Sequence, residues 1–167
     1  MLNKRIIILL QQLSEAVEYK IPVLHKASLL AASSSNTPKM SVSKLVFNIL
    51  DLLLDGDEQG LQLRRQIPYL DQEAAVEYTG VGVFYGFSYK SGIDDFRSKN
   101  GDFVLDGLEI TSSQLSNSAE AIIHGRNGLI SSLEILSHGG DYPNFELSVF
   151  KLRQIWNGSP GRQIKVF

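Results

Sequence analysis

"AIIHGRNGLISSLEILSHGGDYPNFE", residues 121–146, holds two of the chain's three histidines and its sharpest turn signal. Asn127-Gly128 tolerates positive φ at both central positions of a two-residue turn, and runs rich in Ile and Leu flank it on both sides. The stretch therefore predicts a β-hairpin closed by Arg126 and Leu129. An uninterrupted ladder from that turn sets His124 opposite Ser131, Ile122 opposite Leu133 and Glu120 opposite Ile135 on one face. Gly125 with Ile130, Ile123 with Ser132 and Ala121 with Glu134 take the other. In this register His124 and Glu134 project to opposite faces. Both faces carry apolar side chains, which predicts a central strand pair covered at least partly on both sides.

Outward from the hairpin, the second half reads as more strands. "AAVEYTGVGVFYGFSYK", residues 74–90, is rich in Val, Tyr and Phe, with Val76 and Tyr78 in one phase and Val81, Val83, Tyr85, Phe87 and Tyr89 in the other. A phase switch at Gly80–Gly82 predicts one long strand with a bulge or sharp bend. "FVLDGLEIT" (103–111) is a further strand, and "ELSVFKLRQIW" (146–156) reads as a closing strand, with a short helix as the alternative. "NGSPGR" is a turn, and "QIKVF" adds an edge strand.

The first third has helical periodicity. Ile6, Leu9, Leu10, Leu13, Ala16 and Val17 recur at three- and four-residue steps, ending before Pro22. A second helix is expected over 23–32. Ser41 or Ser43 can cap a third through "KLVFNILDLLL", stopped by Gly56, and "DEQGLQLRRQI" adds a short one. The expected fold is α+β and a single domain over 1–167. Its mainly helical part, residues 1–70, packs on a mostly antiparallel sheet of five or six strands from residues 71–167.

A 167-residue chain can bury a core without staples, and its 43% hydrophobic and 20% charged residues are ordinary for a globular protein. Zero cysteines exclude disulfides, thiolate nucleophiles and cysteine metal sites. The apolar run Ile6 to Leu10 is too short for a signal peptide or a membrane span, so a cytoplasmic protein with no membrane association is expected. Residues 1–50 hold six Lys/Arg against two Asp/Glu, residues 51–109 five against twelve, and residues 110–167 five against four. The acidic middle is either a solvated rim or a patch that steers a basic protein partner. No clustered Lys/Arg stripe suits nucleic acid.

Chemistry-bearing groups are sparse. His138 and Asp141 flank Gly139-Gly140 and can converge in a turn, but a third metal ligand is missing nearby, so no metal and no cofactor is expected. Asp141 more simply hydrogen-bonds its own backbone. "GLEI" (107–110) and "SLEI" (132–135) raise paired carboxylates at Glu109 and Glu134, against the plainer reading of two amphipathic strands. "TGVGVFYGF" is no phosphate loop, since no helix start follows its glycines.

Three segments carry a family resemblance: "EYTGVGVFYGFSY" (77–89), "DGLEI" (106–110) and "AIIHGRNGLISSLEILSHGGDYP" (121–143). Over residues 76–156 the pattern resembles small uncharacterised bacterial proteins similar to the immunity proteins of polymorphic or contact-dependent toxin systems. The resemblance implies an intracellular binder that neutralises a toxin stoichiometrically, without catalysis. It carries over no binding residue. The acidic segment instead suggests the surface for a basic toxin domain: Asp94, Asp95, Phe96, Asp102 and Asp106, with Tyr85 and Tyr89 nearby. The competing reading is a small enzyme or ligand-binding protein using His138, Asp141 and Glu109. A third is an oligomer-forming module pairing through "RQIKVF" (162–167), and the oligomeric state itself is not legible.

Overall fold

The computed structural model describes residues 42–167, which lie within one compact unit, Asn36–Phe167. The helices expected over 6–17 and 23–32 lie outside the described residues. Helix α1, Lys44–Leu53, begins where the Ser43 hydroxyl accepts a hydrogen bond from the Val46 N–H at 3.2 Å. It buries Leu45, Val46, Ile49, Leu50 and Leu53, the stripe its periodicity requires. Gly56 turns the chain at φ +125°, open only to glycine at low cost. Helix α2, Glu58–Arg64, is capped by Asp57, and a 3-10 turn at Ile67–Tyr69 leads into the sheet.

Seven strands follow: β1 Leu70–Tyr78, β2 Gly82–Tyr89, β3 Phe103–Thr111, β4 Ala119–Arg126, β5 Leu129–Ser137, β6 Phe150–Gln154 and β7 Gln163–Val166. They form one antiparallel sheet in the order β1-β2-β5-β4-β3-β6-β7, so the fold is α+β with β4 and β5 near its middle. The strand count exceeds the expected five or six because residues 70–89 form two strands. Gly80 adopts φ +84°, and the Thr79 N–H donates to the Gly82 carbonyl at 3.0 Å. The phase switch in the sequence is therefore a chain reversal. Val76 pairs with Tyr85 and Tyr78 with Val83, so residues of opposite parity share a face. Of the run 146–156, residues 150–154 alone form a strand.

Helix α1 lies against β3, β6 and β7. The covered face holds Val83, Tyr85, Phe87, Leu108, Ile110, Ala121, Ile123, Leu133, Ile135 and Leu152, all buried. The opposite face carries Phe84, Val104, Glu109, Glu120, Ile122, His124, Ser132 and Glu134 and is open, so the cover expected on both faces is found on one among the described residues. No helix among them is long and apolar enough to cross a membrane.

Two buried glutamines tie distant segments together. Gln66 donates to the carbonyls of Phe96 and Gly128, each at 2.8 Å, and accepts from the Ile130 N–H at 2.9 Å. Gln154 donates to the Leu52 and Asp55 carbonyls at the end of α1 and accepts from the Arg162 N–H. At the β1–β2 end the Tyr85 and Tyr142 hydroxyls are buried with no geometric hydrogen-bond partner among the described residues, and the Tyr78 phenol lies beside Tyr85. Burial first, then neighbouring phenols and Glu146, push the Tyr85 and Tyr142 hydroxyls above the ordinary phenol range.

Two outcomes follow from this packing. Gln66→Leu leaves Ile130 N–H and two carbonyls without their side-chain partner and should cost about 3 kcal/mol in urea unfolding; a loss below about 1 kcal/mol contradicts the assigned role. The raised phenols keep their protons in the folded state while unfolded tyrosines ionise near pH ~10. Their stabilising contribution is full below that pH and is lost as pH rises beyond it. Phenolate absorbance from Tyr85 and Tyr142 should appear only with alkaline unfolding, followed by Tyr→Phe variants at each position; ionisation within the folded protein contradicts this.

Candidate functional site

The β4–β5 hairpin builds the site, and it does so through a register the turn alone does not reveal. Asn127 (φ 50°) and Gly128 (φ 78°) form the expected turn, with Arg126 opposite Leu129 and Gly125 opposite Ile130. The next pair is His124 with Ser132, so Ser131 is an extra residue, a β-bulge. Its hydroxyl donates to the His124 carbonyl at 3.0 Å. Beyond it the phase is shifted by one: Ile123 faces Leu133, Ile122 faces Glu134 and Ala121 faces Ile135.

The shift has an energetic cause. An uninterrupted ladder would send Leu133 and Ile135 outward and the Glu134 carboxylate into the core. Full burial of each aliphatic side chain is worth about 2 kcal/mol, and an unpaired buried carboxylate costs several more. One disrupted ladder hydrogen bond costs about 1 kcal/mol. The bulge wins, and Leu133 and Ile135 are fully buried.

His124 and Glu134 consequently share the open face, correcting the expectation that they project apart. His124 Nε2 and Glu134 Oε2 lie 3.0 Å apart, with side chains 36% and 19% exposed. They line an open groove of about 750 Å³ with Phe84, Val104, Ser132, Arg126 and Asp102. The groove ends at the hairpin tip, which the preceding loop clamps. Asp102 Oδ1 accepts from the Asn127 N–H at 2.8 Å, Arg97 donates to the Asn127 carbonyl at 2.6 Å, and the Ser98 N–H donates to the Gly128 carbonyl at 2.9 Å.

The acidic-loop residues fall in several settings. Asp94 and Asp95 lie exposed on a 3-10 turn, Ile93–Phe96, where Asp94 accepts from Arg97 at 2.8 Å. Phe96 packs inward against Tyr69, ring centroids 5.1 Å apart, with the Arg65 guanidinium 4.8 Å over its face. Asp102 lines the groove. Asp106 sits in a second bulge, in β3, beside Leu53, Asp57 and Trp156 in a separate cleft of about 180 Å³. Tyr85 is 1% exposed on the covered face and cannot present its ring to a partner, because it shares the inward phase of β2 with Val83 and Phe87. Tyr89 is exposed; partial burial raises its phenol, and Arg97 opposes the shift.

The alternative set does not converge on a metal site. Glu109 is paired with Arg153 across β3–β6 at 2.7 Å, opposite Glu120. His138 and Asp141 are exposed in a turn where Asn117 and Ser137 side chains donate to the Gly139 carbonyl. Among the described residues no group of three His, Asp or Glu could hold a metal ion. The sequence did contain a signal for the missed pair. Ile130 and Leu133 are three apart while Leu133 and Ile135 are two apart, a break in apolar alternation over the polar doublet Ser131-Ser132.

A double-mutant cycle on His124→Gln and Glu134→Gln should give a coupling of about 0.5–1 kcal/mol, the size of a half-exposed pair. Zero coupling contradicts the shared face. The chain matches no protein-family model, no curated protein and no solved structure.

Proposed function

We propose that this is an intracellular protein-binding protein of the immunity type, which neutralises a basic toxin domain by stoichiometric capture on an acidic surface. The observation that carries the reading is the clamp between loop 93–102 and the hairpin tip. Asp94 is held by Arg97, Arg97 by the Asn127 carbonyl, and Asp102 by the Asn127 N–H. Carboxylates fixed in this way are ordered before a partner arrives, so less conformational entropy is lost on binding. Asp95 stands exposed beside them, and the surface runs on into the groove through Asp102. Such charges act mainly on the rate of encounter, which salt suppresses.

Phe96 belongs to the support of this surface, packed at a tilt against Tyr69, and Tyr89 to its border. A small-ligand or catalytic role has one observation in its favour, the His124–Glu134 contact in the groove, and replaces the His138, Asp141 and Glu109 set as the place to look for it.

The test is capture of a toxin domain encoded beside this protein's gene. The wild type should form a one-to-one complex and protect cells that express the toxin. Asp94→Lys with Asp95→Lys should slow association about tenfold or more at low salt and flatten its salt dependence. Unchanged association, or no protection by the wild type, contradicts the proposal.

A further inference from the structure

The open face carries an aromatic ring between two carboxylates. Glu77 of β1 lies directly opposite Phe84 of β2, and Phe84 lies directly opposite Glu134 of β5. Directly opposed residues on antiparallel strands place their side chains on the same face about 5 Å apart. The three therefore form one row across three strands, acid, ring, acid. Phe84 is half-buried at the wall of the groove, Glu77 is exposed, and one Glu134 oxygen is engaged by His124.

We infer that this row is the seat for an arginine side chain of the captured protein. The inference rests on the binding reading above and names where the partner's anchor goes. A guanidinium over the Phe84 face meets the negative side of the ring quadrupole and has a carboxylate on either hand. Its planar fork can stack and donate at once, which an ammonium does less well. His124 is the positioning residue: its contact with Glu134 Oε2 leaves Oε1 to accept. Arg126, the one Arg or Lys among the described residues lining the groove, is four residues along β4 from Ile122, the partner of Glu134, a separation of about 13 Å at ~3.3 Å per residue. It stands at the Asp102 end and leaves the Phe84 end acidic.

The row gives the Phe84 ring a use on the open face, while its neighbours Val83 and Tyr85 supply the core. It also separates two parts of the surface: the loop carboxylates steer, and the row holds.

The test uses the full chain, an acetylated and amidated hexa-arginine peptide as the probe, and two-dimensional amide NMR at low salt. Backbone signals of residues 77, 84 and 132–134 should shift saturably. Phe84→Leu, which keeps the apolar volume and removes the π face, should weaken binding about threefold, and Glu134→Gln with Glu77→Gln should weaken it about tenfold or more. Hexa-lysine should bind more weakly, and hexa-citrulline should not bind. Shifts confined to residues 93–102 overturn the row while leaving the binding proposal standing. Equal binding by Phe84→Leu and wild type also overturns it, and no shift anywhere removes both.

Discussion

One extra residue in β5 decides what this protein can present. Ser131 breaks the ladder between Gly125–Ile130 and His124–Ser132, and every residue beyond it exchanges faces relative to a regular hairpin. The exchange brings Leu133 and Ile135 under the core and turns Glu134 out to meet His124. The same choice aligns Glu134 with Phe84 on the neighbouring strand. Core and surface are thus set by a single local event, and the gain in apolar burial outweighs the lost ladder bond by several-fold.

A displaced register near a hairpin tip leaves backbone groups without ladder partners, and those groups must find others. Gln66 supplies them. Its amide receives the Ile130 N–H beside the bulge and gives hydrogen bonds to Gly128 and Phe96, so the bulge, the tip and the acidic loop meet at one buried side chain. Gln154 does the equivalent work between β6 and the end of α1. Such fully satisfied buried amides specify geometry more than they add net stability. The same hydrogen bonds tie the loop carboxylate Asp102, the hairpin tip and the start of β5 to one another.

Much of the fold was legible because it rests on local chemistry. A serine cap at 41 or 43, found at Ser43, the Gly56 stop, the Asn127-Gly128 turn and the strands at 103–111, 119–125, which runs on to Arg126, and 129–137 follow from local turn, capping and strand preferences. What was not legible depends on comparing two strands at once. The phase change around Gly80 has the same apolar pattern whether the chain bends or reverses, and only pairing of Val76 with Tyr85 separates the two. The Ser131 bulge likewise follows from demanding that the apolar sides of β4 and β5 coincide, whereas a turn rule extended as a regular ladder ignores that demand. The acidic loop could be named as acidic, but Phe96 and Tyr85 show the limit of such naming: aromatic character does not say which face a ring takes.

The pairing of β4 with β5 sets both the buried core and the open face. Interproton contacts from His124 across the hairpin, measured by NMR on the uniformly labelled chain, read that pairing without perturbing it. The bulged register requires cross-strand contacts of His124 with Ser132 and of Ile122 with Glu134. Contacts of His124 with Ser131 as its direct partner, together with Ile122 opposite Leu133, would restore the regular ladder, return Glu134 to the other face and contradict the site described above.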